Sequence, residues 1–146
     1  MPKSQEIIQV GSTKVQFLLE GKDTNNQLCM FEFTVPVGGA MPLTHYHKDF
    51  DETAYVIEGC INFLLDGAYI DVPAGESIFI PKGAVHAFYN KTNEPAKALA
   101  TITPALIGPD FFRESGEVVN AGGPPDLVKL SAVFAKHGLV AVIPNK

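Results

Sequence analysis

The stretch GAMPLTHYHKDFDETAYVIEG, residues 39–59, decides the fold. His45 and His47 are one residue apart. On a strand, side chains at i and i+2 point to the same face, so both imidazoles can reach one ion while Tyr46 points the other way. On a helix the same pair would diverge. Glu52 opens the next apolar run after the polar KDFD, where a carboxylate from a neighbouring strand can join the two rings. Further on, GESIFIPKGAVHAFYN, residues 75–90, places His86 after a proline–glycine turn and at the start of another strand-like run. His86 is distant in sequence but can be adjacent in space if the strands curl into a barrel. Three imidazoles and one carboxylate suit a divalent Fe, Mn, Ni, Cu or Zn ion. Four protein ligands leave open positions on a five- or six-coordinate metal, which is what a substrate or dioxygen needs. A closed structural zinc site would more often use cysteine.

The offsets around these residues resemble the two motifs of the cupin superfamily, G-x5-H-x-H-x4-E-x6-G and G-x5-P-x-G-x2-H-x3-N. Gly39, His45, His47, Glu52 and Gly59 occupy every fixed position of the first; Gly75, Pro81, Gly83, His86 and Asn90 occupy every fixed position of the second. The motif region, residues 39–90, is a little over a third of the chain. The resemblance implies an all-β, double-stranded β-helix (jelly-roll) barrel with the metal inside, held by His45, His47, Glu52 and His86. It implies no single reaction, because one fold hosts many chemistries.

Composition sets outer bounds. At 146 residues the chain is long enough for one domain, 1–146, with a sizeable core. Apolar residues are 46% of it, which excludes disorder by composition. Eleven basic residues against 16 acidic give a net charge of −5, which disfavours nucleic acid as a partner. No apolar run reaches membrane-spanning length, and MPKSQEIIQVGSTKV lacks the apolar core of a signal peptide, so the expected compartment is the cytoplasm. There Cys29 and Cys60 are expected as packed thiols.

Along the chain, TKVQFLLEG and QLCMFEFTVP flank the polar KDTNN as a hairpin, and Asp66-Gly67 is the strongest hairpin signal. TAYVIEG, CINFLLDG, GAYIDV, ESIFIP, HAFYN and ALATITP continue a series of short strands, as in sandwiches and barrels. After Pro104 the pattern changes. A short helical turn is expected through Pro109–Ser115, and a helical tail at about 124–137, with Pro124 and Pro125 at its start and Gly138 as cap. His137 reads as a surface or packing residue near the helix end, and LVAVIP as a last short strand.

By alternation Phe88 and Asn90 share the inward face of His86, and Ala54 and Val56 that of Glu52. Phe50, Phe111 and Phe112 either close the mouth of an apolar cavity or serve as ordinary packing. The favoured function is a metal-dependent dioxygenase acting on a small oxygenated organic compound, the small-cupin resemblance extending to quercetin 2,3-dioxygenase-like proteins. Glu52, the one ligand able to take a proton, is then also catalytic. The alternatives are a metal-dependent isomerase or lyase, with Tyr55 or Glu32 as candidate bases, and a non-catalytic ligand-binding barrel. Apolar outer sheet faces suggest a homodimer, with the chain termini or tail contributing.

Overall fold

The computed structural model describes residues 4–143, so the outermost residues of the expected 1–146 domain, and any part the termini play in a dimer, lie outside the described residues. Eleven strands and two helices run in the order β1 (Ile8–Val10), β2 (Thr13–Leu19), β3 (Cys29–Val35), β4 (His45–His47), β5 (Asp51–Glu58), β6 (Cys60–Leu65), β7 (Ala68–Pro73), β8 (Ser77–Ile80), β9 (His86–Tyr89), β10 (Ala96–Thr103), α1 (Pro109–Val119), α2 (Leu127–Lys136) and β11 (Leu139–Ala141). They form two antiparallel sheets. One is six-stranded, β1-β2-β3-β10-β5-β8; the other is five-stranded, β11-β4-β9-β6-β7. This is the jelly-roll barrel expected from the motifs.

Strict alternation builds the inner faces. Cys29, Phe31, Phe33 and Val35 of β3 are buried while Met30, Glu32 and Thr34 between them are only half-buried. Burial pushes the Cys29 thiol up to about 12, and Cys29 and Cys60 are both free. On β10 the inward residues are Ala96, Ala98, Ala100 and Ile102. Ala98 pairs with Phe33 and Ala100 with Phe31, so small residues stand beside large ones and leave room inside the barrel. The Asp66-Gly67 hairpin forms as expected: both residues have positive φ, 47° and 82°, as a two-residue turn between antiparallel strands requires.

The expectations differ from the structure at three places. The Ile8–Val10 run forms β1, paired with β2 in the register Val10↔Thr13; three residues are too few to carry a periodic signal. The helical turn expected over Pro109–Ser115 is an eleven-residue helix that continues to Val119. Ser115-Gly116 reads as a stop, yet both residues are buried because the helix lies against β1, where a Cβ on Gly116 would sit 2.7 Å from the Gln9 carbonyl oxygen. The tail helix begins at Leu127, not at the prolines, because the Asp126 side chain accepts from the Lys129 amide and caps it. The barrel thus carries two helices rather than one. Among the described residues no helix is long and apolar enough to cross a membrane.

Candidate metal centre

His45 and His47 sit on the inner face of β4 and are almost fully buried. β4 pairs with β9 so that His45 stands directly opposite His86. The ring centroids of His45 and His86 are 4.4 Å apart, and those of His47 and His86 4.6 Å. The three residues offer nitrogen atoms that all lie within 4.8 Å of one another. The turn before β9 sets this up. The Ala84 amide donates to the Pro81 carbonyl, and Gly83, at φ 84°, takes the left-handed position that a type II turn demands. The Gly83 amide then donates to the His47 carbonyl at 2.8 Å, tying that turn to β4.

Backbone bonds set the tautomers. His45 Nδ1 donates to the Leu43 carbonyl at 2.9 Å and His86 Nδ1 to the Ala84 carbonyl at 3.0 Å. A carbonyl only accepts, so both protons sit on Nδ1 and both Nε2 lone pairs are free to face the centre. His47 is stacked on Phe50, centroids 4.4 Å apart, and its Nε2 is 3.3 Å from that of His45. Its Nδ1 has no protein partner. Burial, helped by the neighbouring imidazoles, drives His45 down to about 3 and His47 to about 2; burial also lowers His86. All three rings are therefore neutral, the state that ligates a metal.

Glu52 approaches from the opposite sheet, not from a neighbouring strand. Its Oε1 lies 3.7 Å from His47 Nε2, too far for a hydrogen bond. Burial raises its carboxyl to about 7. His45 and His86 present Nε2 lone pairs, His47 Nε2 shares a hydrogen bond with His45 Nε2 that a cation would replace, and the desolvated Glu52 carboxyl lies beside them. The donor set therefore fits a divalent transition metal.

A cavity that opens to solvent lies in front of the centre. Seven of its 19 lining residues are phenylalanines: Phe31 and Phe33 of β3, Phe63 of β6, Phe88 of β9, Phe111 and Phe112 of α1, and Phe134 of α2. Phe134 packs edge-on against His45, with centroids 5.2 Å apart. Ala54 and Val56 share the buried face of Glu52, as expected. Asn90 is buried too, but its amide is spent on the Val35 and Glu94 carbonyls and holds a turn together. Phe50 is packing behind His47 rather than a door, whereas Phe111 and Phe112 line the cavity. Tyr55 is 46% exposed, and Glu32 alternates with the buried Phe31 and Phe33, so both candidate bases stand on outer faces. His137 bonds to Glu114 at 2.9 Å and is not among the clustered rings.

Two lining groups carry no motif. Thr13, at the start of β2, and Ser115, on α1, both face the cavity. Sequence reasoning passes over them because a lone Thr or Ser is unremarkable until the fold shows what surrounds it. The inward Phe31 and Phe33 were legible in the alternation of CMFEFTV.

The sequence profile of the cupin domain matches residues 31–102. Over 96 residues the chain is 30% identical to quercetin 2,3-dioxygenase of Bacillus subtilis, an alignment covering 66% of this chain and 28% of that protein. It is 30% identical over 83 residues to the tetracenomycin polyketide synthase protein TcmJ of Streptomyces glaucescens, covering 56% of each. Among solved structures, the polyketide cyclase RemF from Streptomyces resistomycificus superposes with a TM-score of 0.57 at 28% identity, over 64% of this chain and 66% of that one. The chain thus spans about half or less of the length of these two curated relatives.

Proposed function

This chain belongs to the cupin superfamily, and on that premise we propose that it is a cytoplasmic, metal-dependent dioxygenase acting on a small aromatic compound that carries oxygen substituents. One divalent ion would be held by His45, His47, His86 and Glu52. The observation that carries this reading is the convergence of three neutral, buried imidazoles on one wall of a phenyl-lined cavity. The 30% identity to a quercetin 2,3-dioxygenase supports it.

When bound, such an ion brings a deprotonated oxygen substrate and dioxygen together and passes electron density between them. The chain supplies the rest. Leu43 and Ala84 carbonyls fix the rings of His45 and His86. The phenyl walls bind a flat ring system and exclude water, which protects reactive oxygen species from quenching. Glu52, the one proposed ligand able to take a proton, would receive a hydroxyl proton from the substrate onto a carboxylate oxygen.

The test is oxygen uptake by protein loaded with Fe(II), Mn(II) or Ni(II) and offered flavonols, catechols and diketones. Uptake coupled to product is expected, and Glu52→Gln should keep measurable metal while losing most turnover. A second reading is favoured by the 28% identity to a polyketide cyclase: the same ion polarises a carbonyl and the product forms without dioxygen. Product without oxygen uptake selects that reading. Tight binding without turnover selects a non-catalytic role. The outer face carrying Tyr55, Ile57 and Phe79, each at least 41% exposed, suits a homodimer, which light scattering checks.

A further inference from the structure

Among the described residues, four buried side-chain polar atoms have no hydrogen-bond partner: Thr13 Oγ1, His47 Nδ1, Ser115 Oγ and Ser131 Oγ. Three of the four belong to residues that line the cavity, and one of those is at the metal centre. The other two, Thr13 and Ser115, are 5% and 2% exposed. A buried hydroxyl without a partner is costly, so native structures rarely keep one. Ser115 and Ser131 are both helical serines that leave the carbonyl four residues back unused, and of the two only Ser115 lines the cavity.

Both hydroxyls are held on rigid supports. Asn120, just past α1, accepts from the Gly11 amide at 2.9 Å and donates to the Gln9 carbonyl at 2.8 Å, clamping the helix to the β1–β2 hairpin that carries Thr13. Gly116 lets the two backbones meet beside Ser115. Thr13 lies on β2, and β3 and β10 separate that strand from β5 and Glu52. Three strand spacings amount to about 14 Å along the sheet, so Thr13 stands well away from Glu52 although both line the same cavity, and Ser115 lines it from the helix clamped to the Thr13 hairpin.

We propose that Thr13 and Ser115 form a second polar anchor that binds the hydroxyl groups at the far end of an extended aromatic ligand whose other end sits at the histidines. Each hydroxyl can both donate and accept, which matches a phenol. The pair therefore selects compounds oxygenated at both ends over those oxygenated only at the metal end. This inference rests on the aromatic-substrate reading above.

The probes are quercetin, with hydroxyls on its outer rings, and flavonol, the parent compound without them. Calorimetric affinities are measured for the full chain and for Thr13→Val, Ser115→Ala and the double variant, each with Ni(II) and after chelation. Wild-type protein should prefer quercetin by about tenfold or more, the worth of a single net hydrogen bond at the upper end of its range. The double variant should lose that preference while its affinity for flavonol and its metal content stay as they were. Its ligand-free melting temperature should stay level or rise, since the hydroxyls satisfy nothing in the fold; a fall of several degrees marks them as structural and overturns the proposal. An unchanged preference for quercetin in the double variant overturns it as well, even if flavonols are turned over. A preference lost in the double variant without oxygen uptake by the wild type leaves the anchor standing and removes the dioxygenase reading. Failure of both probes to bind the wild type removes both.

Discussion

At the histidine end of the cavity, His45 and His86 are each tied through Nδ1 to a carbonyl two residues back, and their free nitrogens are aimed at a common point. At the other end, Thr13 and Ser115 are placed by a helix–hairpin junction and tied to nothing. The first end is built from local geometry: a ring and its own preceding backbone, on adjacent strands. The second is built from contact between segments more than a hundred residues apart. Local construction leaves a trace in residue spacing, and long-range construction does not.

The largest effect separating the two ends should be on metal. The His47→Ala/His86→Ala variant is expected to fall from one ion per chain to trace occupancy by elemental analysis of protein prepared without chelator or nickel resin. The Thr13→Val/Ser115→Ala variant should keep its ion. Near-full occupancy in the histidine variant would remove the distinction between the ends.

Acid should strike the histidine end first. In metal-free protein His45 and His47 lie far below their ordinary 6.5, so their contribution to stability is present above pH 6.5 and is lost as pH falls. Glu52 has the opposite sign: raised from 4.5 to about 7, it favours the fold below pH 4.5 and loses that contribution as pH rises through about 7. Between pH 4.5 and 6.5 two histidines outweigh one carboxylate by one proton, or about 1.4 kcal/mol lost per unit of acidification. His86 moves in the same direction and steepens the slope. Denaturant titrations of chelated protein should therefore show maximal stability near pH 6.5 and a shallow decline above it. Glu52→Gln should abolish that decline. A metal-free stability that falls as pH rises from 4.5 to 6.5, the slope Glu52 alone would give, would show that the rings are not held neutral by burial.

The hydroxyl end should break by steric means instead. Gly116→Val forces a side chain into the Gln9 carbonyl and is expected to cost about 2–3 kcal/mol in urea unfolding. Wild-type stability in that variant would mean the helix can lift off the hairpin freely. Smaller still, Asn120→Ala removes two exposed bonds between α1 and the hairpin and should cost about 1 kcal/mol. Its clearest sign would be faster hydrogen exchange at the Gly11 amide, with the amides of β9 unchanged.

Much of the molecule was legible before folding. The strand series, the Asp66-Gly67 turn and the inward face of β5 follow from period-two alternation and turn chemistry. The helix that begins at Pro109 was not legible to its end, because Ser115-Gly116 is a poor helical pair by propensity; close packing on Gln9 overrides that, at an expected cost of about 1 kcal/mol for a glycine inside a helix. β1 escaped because a three-residue strand exists only by virtue of its partner.

The order of residues alone determined which side chains share a face: His45 with His47, Glu52 with Ala54 and Val56, His86 with Phe88. It also determined, through Gly83 and its turn, where the strand carrying His86 begins. Only the tertiary structure decided that His45 stands opposite His86, that Glu52 reaches the site from the other sheet, and that two unpaired hydroxyls share a cavity with the histidines. The reason is geometric. Backbone dihedrals and side-chain alternation are properties of a few consecutive residues, whereas strand register and the meeting of helix and hairpin depend on every element that must pack at once.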